Sequence, residues 1–343
     1  MTEGHGDDTY RYGRRIEHNF STNVYAGFDH SALFAHLASV AGSIANYPEP
    51  TPASVERLLA HNCCIAPECV MVTNGATEAI YLIAQWLRGK RSAVVSPTFS
   101  EYEDACRIHG HSLQFISSIC DVPDDVDTVW LCNPNNPIGR VTPRDELLEL
   151  LRDRQNTVFI IDQAYADYTS IPLIRENEAV ELPNVLLLGS LTKRFAIPGL
   201  RIGYAVGNPA LMSQIKSLRM PWSVNQLAIE GANYLLAHEE DYPIDAGMLH
   251  GEALRMSRAF EAMGITVKPT DCNFILCSLP AKASELKDYL AETHGILIRD
   301  ASNFRGLTPH HFRVAALTTA QNDLLITAIR EWAAKNRIFF DFY

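Results

Sequence analysis

The fold of this chain is constrained most by a series of short apolar runs, separated by amphipathic segments, in its middle part. The runs lie at residues 69–73, 93–96, 128–132, 158–162, 185–189 and 201–206. Most are almost continuously apolar, which is typical of parallel strands that are covered on both faces. After the first run, apolar residues recur at helical spacing: Ile80, Ile83, Ala84 and Leu87. Strands that alternate with helices in this way predict an α/β fold with a mainly parallel sheet.

The pattern changes after about Asn208. Helical segments continue to about Met263, and short elements then mix, with strands predicted at 274–277, 296–299 and 312–315 and helices at 283–293 and 320–335. This mixture predicts a second, smaller α+β domain. Because residues 1–45 show no clear sheet pattern, we expect them to pack with it. The predicted division is a large domain at residues 46–237 and a small domain formed by 1–45 with 238–343.

Charge and composition exclude several classes of protein. The net charge of −11 and the lack of a basic cluster are not those of a nucleic-acid binder. The N-terminus has no apolar core of a signal peptide, and the longest apolar stretches, 79–87 and 185–191, are far shorter than the roughly 20 residues that span a bilayer. The eight cysteines form no C-x-x-C pair, so we expect free, mostly buried thiols and no metal site. The expected location is the cytoplasm.

The most informative segment is residues 189–204, GSLTKRFAIPGLRIGY, which directly follows a buried-type strand. A lysine that forms a Schiff base needs a rigid scaffold and a lowered pKa, because only the neutral amine attacks an aldehyde. Arg194 and Arg201 would supply positive charge near Lys193, and Ser190 would supply a hydroxyl donor. Taken alone, Ser-x-x-Lys also suits a surface loop with solvated cations. The whole segment is much more specific.

Polar residues also follow two other predicted strands. Asp162 ends an apolar run, where a carboxylate is costly unless it is paired. A protonated pyridine nitrogen would be a suitable partner, although an aspartate at a strand end also suits a cap of the next element. Tyr165, and Asn136 in the Asn-Pro-Asn-Asn-Pro turn, could reach the O3′ of such a ring; the turn residues also explain a tight bend by themselves. Ligands of open α/β sheets bind at these strand ends.

A further strand-to-helix turn contains Gly75, Ala76 and Thr77. Backbone N–H groups at a helix N-terminus bind anions, and the same residues also fit simple capping by Asn74 and Glu78. Both interpretations can hold together.

Three other residues have weaker signals. Tyr102 follows a predicted strand and could stack on a flat cofactor, although an aromatic residue there is more often part of the core. Arg299 and Arg313 lie on short apolar strands and suit a carboxylate or a phosphate. Each of them singly suits a surface salt bridge equally well.

Together these motifs resemble the fold-type-I pyridoxal-phosphate (PLP) enzymes of the class I/II aminotransferase family, over about residues 20–313. The resemblance implies a large domain with a mainly parallel, seven-stranded-type sheet and a smaller domain. It implies that Lys193 carries the cofactor, and that Asp162 pairs with the pyridine nitrogen. The other residues that it assigns to the cofactor are Gly75, Ala76, Thr77, Tyr102, Asn136, Tyr165, Ser190 and Arg201. It also implies a homodimer, in which Tyr47 reaches the cofactor phosphate of the neighbouring subunit.

Within the family, the Asn-Pro-Asn-Asn-Pro turn and the Tyr47-Pro-Glu-Pro segment are similar to the histidinol-phosphate aminotransferase branch, which includes threonine-phosphate decarboxylase of cobalamin synthesis. Residues 298–307 and 311–314, and His5-Gly6 with residues 20–23, are similar to the decarboxylase. Asn23, Arg299 and Arg313 are therefore expected at the substrate. Two departures are Asp7, where the decarboxylase usually has a second glycine, and Ile138, where the family favours threonine.

The resemblance thus implies a lyase similar to L-threonine-O-3-phosphate decarboxylase, acting on a small phosphorylated amino acid or amine. The alternative is histidinol-phosphate aminotransferase, or a related aminotransferase that uses glutamate and 2-oxoglutarate. The cofactor motifs are the same for both reactions, so they do not decide between them. A PLP-binding regulator is a third possibility, but no DNA-binding segment is attached and Lys193, Asp162, Tyr165 and Arg201 are all present.

Overall fold

The structure of the chain is a computed structural model that describes residues 7–13 and 15–336. The strands are, in chain order, β1 (His18–Asn19), β2 (Val70–Thr73), β3 (Arg91–Val95), β4 (Ser112–Ile116), β5 (Thr128–Cys132), β6 (Val158–Asp162), β7 (Val185–Gly189), β8 (Gly203–Gly207), β9 (Thr266–Val267), β10 (Phe274–Ser278), β11 (Ile296–Leu297), β12 (Arg299–Asp300) and β13 (His311–Ala315). The helices are α1 (Ser31–Ser39), α2 (Ala53–Asn62), α3 (Gly75–Trp86), α4 (Ser100–Ile108), α5 (Arg144–Asp153), α6 (Glu176–Ala179), α7 (Leu191–Arg194), α8 (Pro209–Lys216), α9 (Gln226–Ala237), α10 (Ala246–Glu261), α11 (Ala283–His294) and α12 (Thr319–Lys335).

The large domain is built on a sheet whose strand order, within the described residues, is β2-β8-β7-β6-β5-β3-β4. Strand β8 runs antiparallel to both of its neighbours, and the other pairings are parallel. Every residue of β2, β5 and β7 is buried. Apolar clusters cover both faces of this sheet, which explains the continuous apolar runs in the sequence. The predicted mainly parallel α/β sheet is confirmed.

The one strand of this sheet without a sequence prediction is β4. It lies at the sheet edge, and its residues alternate between exposed and half-buried positions. An edge strand of this kind has no continuous apolar run, so the sequence pattern of a buried strand is absent there.

The small domain contains an antiparallel sheet in the order β12-β13-β10-β9, and β1 pairs in parallel with β11. The predicted strand 296–299 is therefore two short strands in different sheets, separated by Ile298. This switch places Arg299 directly opposite Arg313 in the β12–β13 register. Helices α10, α11 and α12 pack over the domain and bury Phe260, Leu290 and Trp332 in its core.

Helix α1 packs against α9, and its buried Leu33 belongs to the apolar cluster of the large sheet. The sequence predicts that residues 1–45 belong to the small domain. We propose instead that α1 belongs to the large domain. The apolar residues of α1 carry no strand signal, so no sequence pattern separates α1 from β1. The remaining division between the domains stays a prediction.

The cysteine prediction is confirmed, because all eight thiols are free and five of them are buried. In the part of the chain that is described, no helix combines the length and apolar character needed to cross a membrane.

Candidate active site

Lys193 is held on a short, well-anchored helix. Helix α7 begins two residues after β7 ends, and the backbone N–H of Thr192 donates to the Ile202 carbonyl at 3.1 Å. The Thr192 hydroxyl donates to the same carbonyl, also at 3.1 Å, which fixes the helix to the start of β8. The Lys193 Nζ donates to the carbonyl of Thr22 at 2.8 Å. The Thr192 hydroxyl therefore closes the loop between α7 and β8.

The environment of Lys193 favours a reactive amine. Burial lowers the pKa of Lys193 to about 8, and the charges of Arg313 and Arg201 act in the same direction. Asp7 and Asp162 oppose these effects. A lysine with a pKa near 8 has a substantial neutral fraction at neutral pH, and the neutral amine is the form that attacks a carbonyl carbon.

Asp162 ends β6 and is 4% exposed. Its Oδ2 accepts a hydrogen bond from the Tyr102 hydroxyl at 2.6 Å, and its Oδ1 accepts from the Ala164 N–H at 2.9 Å. Burial raises the pKa of Asp162, which these two hydrogen bonds and the charge of Lys193 only partly offset. A buried carboxylate in this state would be stabilised by a cationic partner. The Tyr102 ring itself stacks on Trp130, with ring centroids 5.8 Å apart.

Tyr165, Asn136 and Arg313 form a second side of the site, and all three are buried. The Arg313 guanidinium donates to the Asn136 side-chain oxygen and to the Ser21 carbonyl, which are both uncharged. The Asn136 amide nitrogen and the Tyr165 hydroxyl remain as donors on this side. Burial raises the pKa of Tyr165 to about 12, so the hydroxyl keeps its proton at neutral pH.

The N-terminus of α3 forms an anion cradle with Arg201. A Cβ on Gly75, which has φ +71, would lie 2.5 Å from Arg201 Nη2. A Cβ on Gly203 would lie 2.4 Å from the Ala76 nitrogen, so both close approaches require glycine. Asn74 makes no side-chain capping bond, and Glu78 instead accepts from the Asn74 N–H. The first N–H groups of α3 can therefore bind a phosphate.

Two arginines face each other across the neighbouring strands β12 and β13. Arg299 and Arg313 are direct register partners and are 7% and 3% exposed. Like charges directly opposite each other destabilise a sheet, and burial increases this cost. An anion bound by both guanidinium groups would offset it. Arg299 also donates to the Asn303 side-chain oxygen at 2.8 Å.

These groups surround one cavity of about 370 Å³. It brings together most of the predicted site residues: Gly75, Ala76, Thr77, Tyr102, Asn136, Asp162, Tyr165, Ser190, Lys193, Arg201, Arg299 and Arg313. Asn23 is fully buried nearby, at a left-handed φ of 56°, but is not part of the cavity wall. Tyr47 is 84% exposed and packs against Trp222, away from the cavity of its own subunit. His5 and Gly6 lie outside the described residues.

The cavity wall also contains residues that the sequence does not identify as site residues, although four of them lie within the motif segments 20–23 and 298–307. Asp7, Ser21, Thr22, Asn303 and Phe304 come from the N-terminal segment and from the loop after β12. A larger cavity of about 890 Å³ lies beside this one and shares Ala164 and Ser190 with it. Neither Lys193 nor Asp162 lines it, so the smaller cavity is the candidate active site.

The arrangement fits PLP group by group. The α3 cradle with Arg201 fits its phosphate, and buried Asp162 fits a protonated pyridine nitrogen. Lys193, with its lowered pKa, would supply the amine that binds its aldehyde. A large parallel-type sheet with this site at its strand ends defines the class of fold-type-I PLP-dependent enzymes.

Comparison with known proteins gives the family. The model of aminotransferase class I and II matches residues 15–329, so the chain belongs to this family, and its cofactor is PLP. A curated relative, threonine-phosphate decarboxylase of Salmonella typhimurium, is 32% identical and is aligned over 84% of this chain and 83% of its own. Histidinol-phosphate aminotransferase of Caldanaerobacter subterraneus is 28% identical over 83% of this chain and 84% of its own.

A solved structure agrees with this assignment. The crystal structure of L-threonine-O-3-phosphate decarboxylase from Porphyromonas gingivalis is 38% identical, with a TM-score of 0.89. It matches 92% of this chain and 99% of its own. The predicted family, fold class and cofactor are confirmed.

The Tyr102 hydroxyl allows a conservative test of Asp162. Tyr102→Phe keeps the ring but removes the hydrogen bond to Oδ2, so the carboxylate becomes harder to ionise. We expect the affinity of the apoenzyme for PLP to fall about tenfold, as for the loss of one hydrogen bond to a charged group. A fluorescence titration of the apoenzyme with PLP measures this affinity. Tyr81→Phe is the matched control, because Tyr81 donates to Glu101 at 2.8 Å outside the cavity. Unchanged affinity in Tyr102→Phe would contradict this role.

Proposed function

We propose that this protein is a PLP-dependent decarboxylase of L-threonine O-3-phosphate or of a closely related amino-acid phosphate, as in cobalamin synthesis. The observation that carries the proposal is the pair Arg299 and Arg313, buried and directly opposite each other on one wall of the cavity. Two adjacent guanidinium groups suit the three oxygens of one phosphate. The names of the two decarboxylase relatives support the same substrate.

The positions of the cationic side chains in the cavity determine which group of the proposed substrate leaves. The cationic residues of the cavity wall, among those described, are Lys193, Arg201, Arg299 and Arg313. If Arg201 binds the cofactor phosphate and the two opposed arginines bind the substrate phosphate, no arginine remains to hold the substrate carboxylate. An aminotransferase needs such an anchor, because it must keep that carboxylate in place. A carboxylate without an anchor can instead turn out of the cofactor plane and leave as CO₂.

PLP, when bound, supplies an electron sink for the bond that breaks at the substrate Cα. Asp162 would keep the pyridine nitrogen protonated, and Tyr165 and Asn136 would hold the ring oxygen. Lys193 delivers a proton to Cα after CO₂ leaves, which its lowered pKa allows. One carbon–carbon bond is thus replaced by one carbon–hydrogen bond, and the product is an amino-alcohol phosphate.

The test is CO₂ release from O-phospho-L-threonine by the purified holoenzyme. We expect stoichiometric CO₂ and amino-alcohol phosphate, with no conversion of the cofactor to its amine form. Arg313→Gln should lower kcat/KM at least about 100-fold while the protein keeps a visible band of the lysine-bound cofactor, because two charge-assisted hydrogen bonds to the substrate are lost. No CO₂, together with amino-group transfer from histidinol phosphate to 2-oxoglutarate, would favour the aminotransferase, for which the 28% identical relative is the specific support.

We also propose a cytoplasmic homodimer. Tyr47 is 84% exposed and lies beside Trp222, and Met220 nearby in the sequence is 71% exposed. Exposed aromatic and methionine side chains of this kind are enriched at subunit interfaces. In the proposed dimer, Tyr47 reaches the cofactor phosphate of the other subunit. Sedimentation at micromolar concentration should give twice the chain mass of 38.2 kDa, and a monomer would exclude the proposal.

A further inference from the structure

Asp7 and Asp162 are the two carboxylates, among the described residues, in the wall of a cavity that also contains four cationic side chains. Asp7 lines the same cavity as Lys193, Arg299 and Arg313. Its backbone has φ +59, a left-handed conformation that most residues avoid and that aspartate and asparagine tolerate. Strained positions of this kind are concentrated at functional sites. A negative charge here needs an explanation, because the proposed substrate carries a phosphate.

Hydrogen bonds link Asp7 to Arg313 through Ser21. The Asp7 N–H donates to the Ser21 hydroxyl at 3.3 Å, and the carbonyl of Ser21 accepts from Arg313. The Asn19 amide donates to Asp7 Oδ1 at 2.8 Å, which orients the carboxylate. Among the described residues, no hydrogen bond is formed by Asp7 Oδ2. The residue is exposed and lines the cavity, so this oxygen can accept a hydrogen bond from a ligand.

The chemistry of the ligand decides whether Asp7 attracts or repels it. A phosphate monoester has a second pKa of about 6 and therefore keeps a P–OH group in part of the population near neutral pH. That hydroxyl can donate to a carboxylate. A sulfate or a substrate carboxylate is fully ionised at this pH and offers only acceptor oxygens. The same Asp7 oxygen would repel it, since two ionised acceptors cannot form a hydrogen bond.

We propose that Asp7 is a specificity-determining residue that accepts a hydrogen bond from the P–OH of the monoanionic substrate phosphate, and so selects phosphate monoesters over sulfates and dicarboxylates. The inference rests on the proposed function, because it assumes that the anion at Arg299 and Arg313 is a phosphate. Selection of this kind uses a repulsive contact against the wrong ligand as well as an attractive one for the right ligand.

The test compares inorganic phosphate with inorganic sulfate, which have the same shape and differ in their remaining proton. Both are titrated calorimetrically into the PLP-loaded holoenzyme at pH 6.5, where the cofactor phosphate already occupies the α3 cradle. We expect the wild type to prefer phosphate by about tenfold or more, the effect of one charge-assisted hydrogen bond. Asp7→Asn should lose this preference. Asp7→Gly, which suits the positive φ, should lose it too.

Glu17→Gln is the matched control, since it removes one charge from the exposed Glu17, which does not line the cavity, and should keep the preference. A wild type that binds sulfate as tightly as phosphate would overturn the proposal, and so would a preference that survives in both Asp7 variants. The outcome is independent of turnover. An enzyme that prefers phosphate through Asp7 but releases no CO₂ supports the role of Asp7 while refuting the proposed decarboxylase.

Discussion

Lys193→Ala is expected to remove the visible absorbance of the lysine-bound cofactor and to lower kcat/KM by at least about 1,000-fold. The variant loses both the amine that binds the aldehyde and the group that moves protons at Cα, and proton transfer alone contributes about 100- to 10,000-fold. PLP should still bind through the α3 cradle, because Gly75 and Arg201 are unchanged. Absorbance spectra, steady-state kinetics and equilibrium dialysis measure the three effects.

Lys216→Ala is the control for this experiment. Lys216 is also half-buried, burial also lowers its pKa, and it donates to the carbonyls of Pro67 and Glu68 outside the cavity. Borohydride should link PLP irreversibly to the wild type and to Lys216→Ala, but not to Lys193→Ala, as seen by intact mass. A visible band or a covalent adduct in Lys193→Ala would identify another residue as the cofactor lysine.

Lys193 could be predicted from the sequence because the features that a cofactor lysine requires occur in neighbouring residues of the chain. A buried run, a short polar turn and basic residues appear in order between residues 185 and 204, and the structure places them as β7, α7 and the start of β8. Asp162 could be predicted for a similar reason, because a charge at the end of an apolar strand violates the pattern around it. Such local violations are visible without any structure.

The side of the site proposed to bind the substrate contains Arg299 and Arg313. It depends instead on contacts between segments that are distant in the sequence. Ser21 and Arg313 are 292 residues apart in the chain, yet the Ser21 carbonyl accepts from the guanidinium. The register that opposes Arg299 to Arg313 follows from the change of sheet at Ile298, which a single apolar run of residues 296–299 does not reveal. In the sequence, Asp7 is distinguished only because it stands where the decarboxylase usually has a glycine. Its place in the cavity depends on the N-terminal segment, which is tied to α11 where Lys287 donates to Asp8 and Tyr12 donates to Asp288.

The exposure of Tyr47 illustrates a different limit. The sequence suggests a role for this residue only through resemblance, and the structure of one subunit leaves its side chain 84% exposed. An interface residue has no partner within its own chain, so neither the sequence pattern nor a single subunit shows what it contacts. Its predicted role at the neighbouring cofactor remains a proposal.

Asp162→Asn is expected to lower kcat about 1,000-fold, because a neutral amide does not hold a proton on the pyridine nitrogen and the electron sink is lost. The substitution nearly keeps the side-chain shape. Its oxygen can still accept from the Ala164 N–H, as Oδ1 does in the wild type. A loss of activity is therefore expected without a loss of fold.

The same substitution lowers activity but is not expected to lower the stability of the apoenzyme. Burial raises the pKa of Asp162 in the folded protein, so the stability contributed by this group is present at low pH and is lost as the pH rises through that pKa. At pH 8 the wild-type apoenzyme contains a buried carboxylate that asparagine removes. We expect the apo variant to be at least as stable as the wild type in a calorimetric melt.

Addition of PLP should then make the wild type more stable than Asp162→Asn. A pyridinium that pairs with Asp162 stabilises the folded wild type by ligand binding, and the variant lacks this contribution. The increase in Tm on saturation with PLP should therefore be smaller in Asp162→Asn, while the phosphate cradle still gives a measurable increase. If PLP raised the Tm of both proteins equally, the pyridine nitrogen would not be the partner of Asp162. Asp162 would then be a carboxylate whose pKa is raised by burial and whose charge is stabilised only by Lys193 and by the hydrogen bonds from Tyr102 and Ala164.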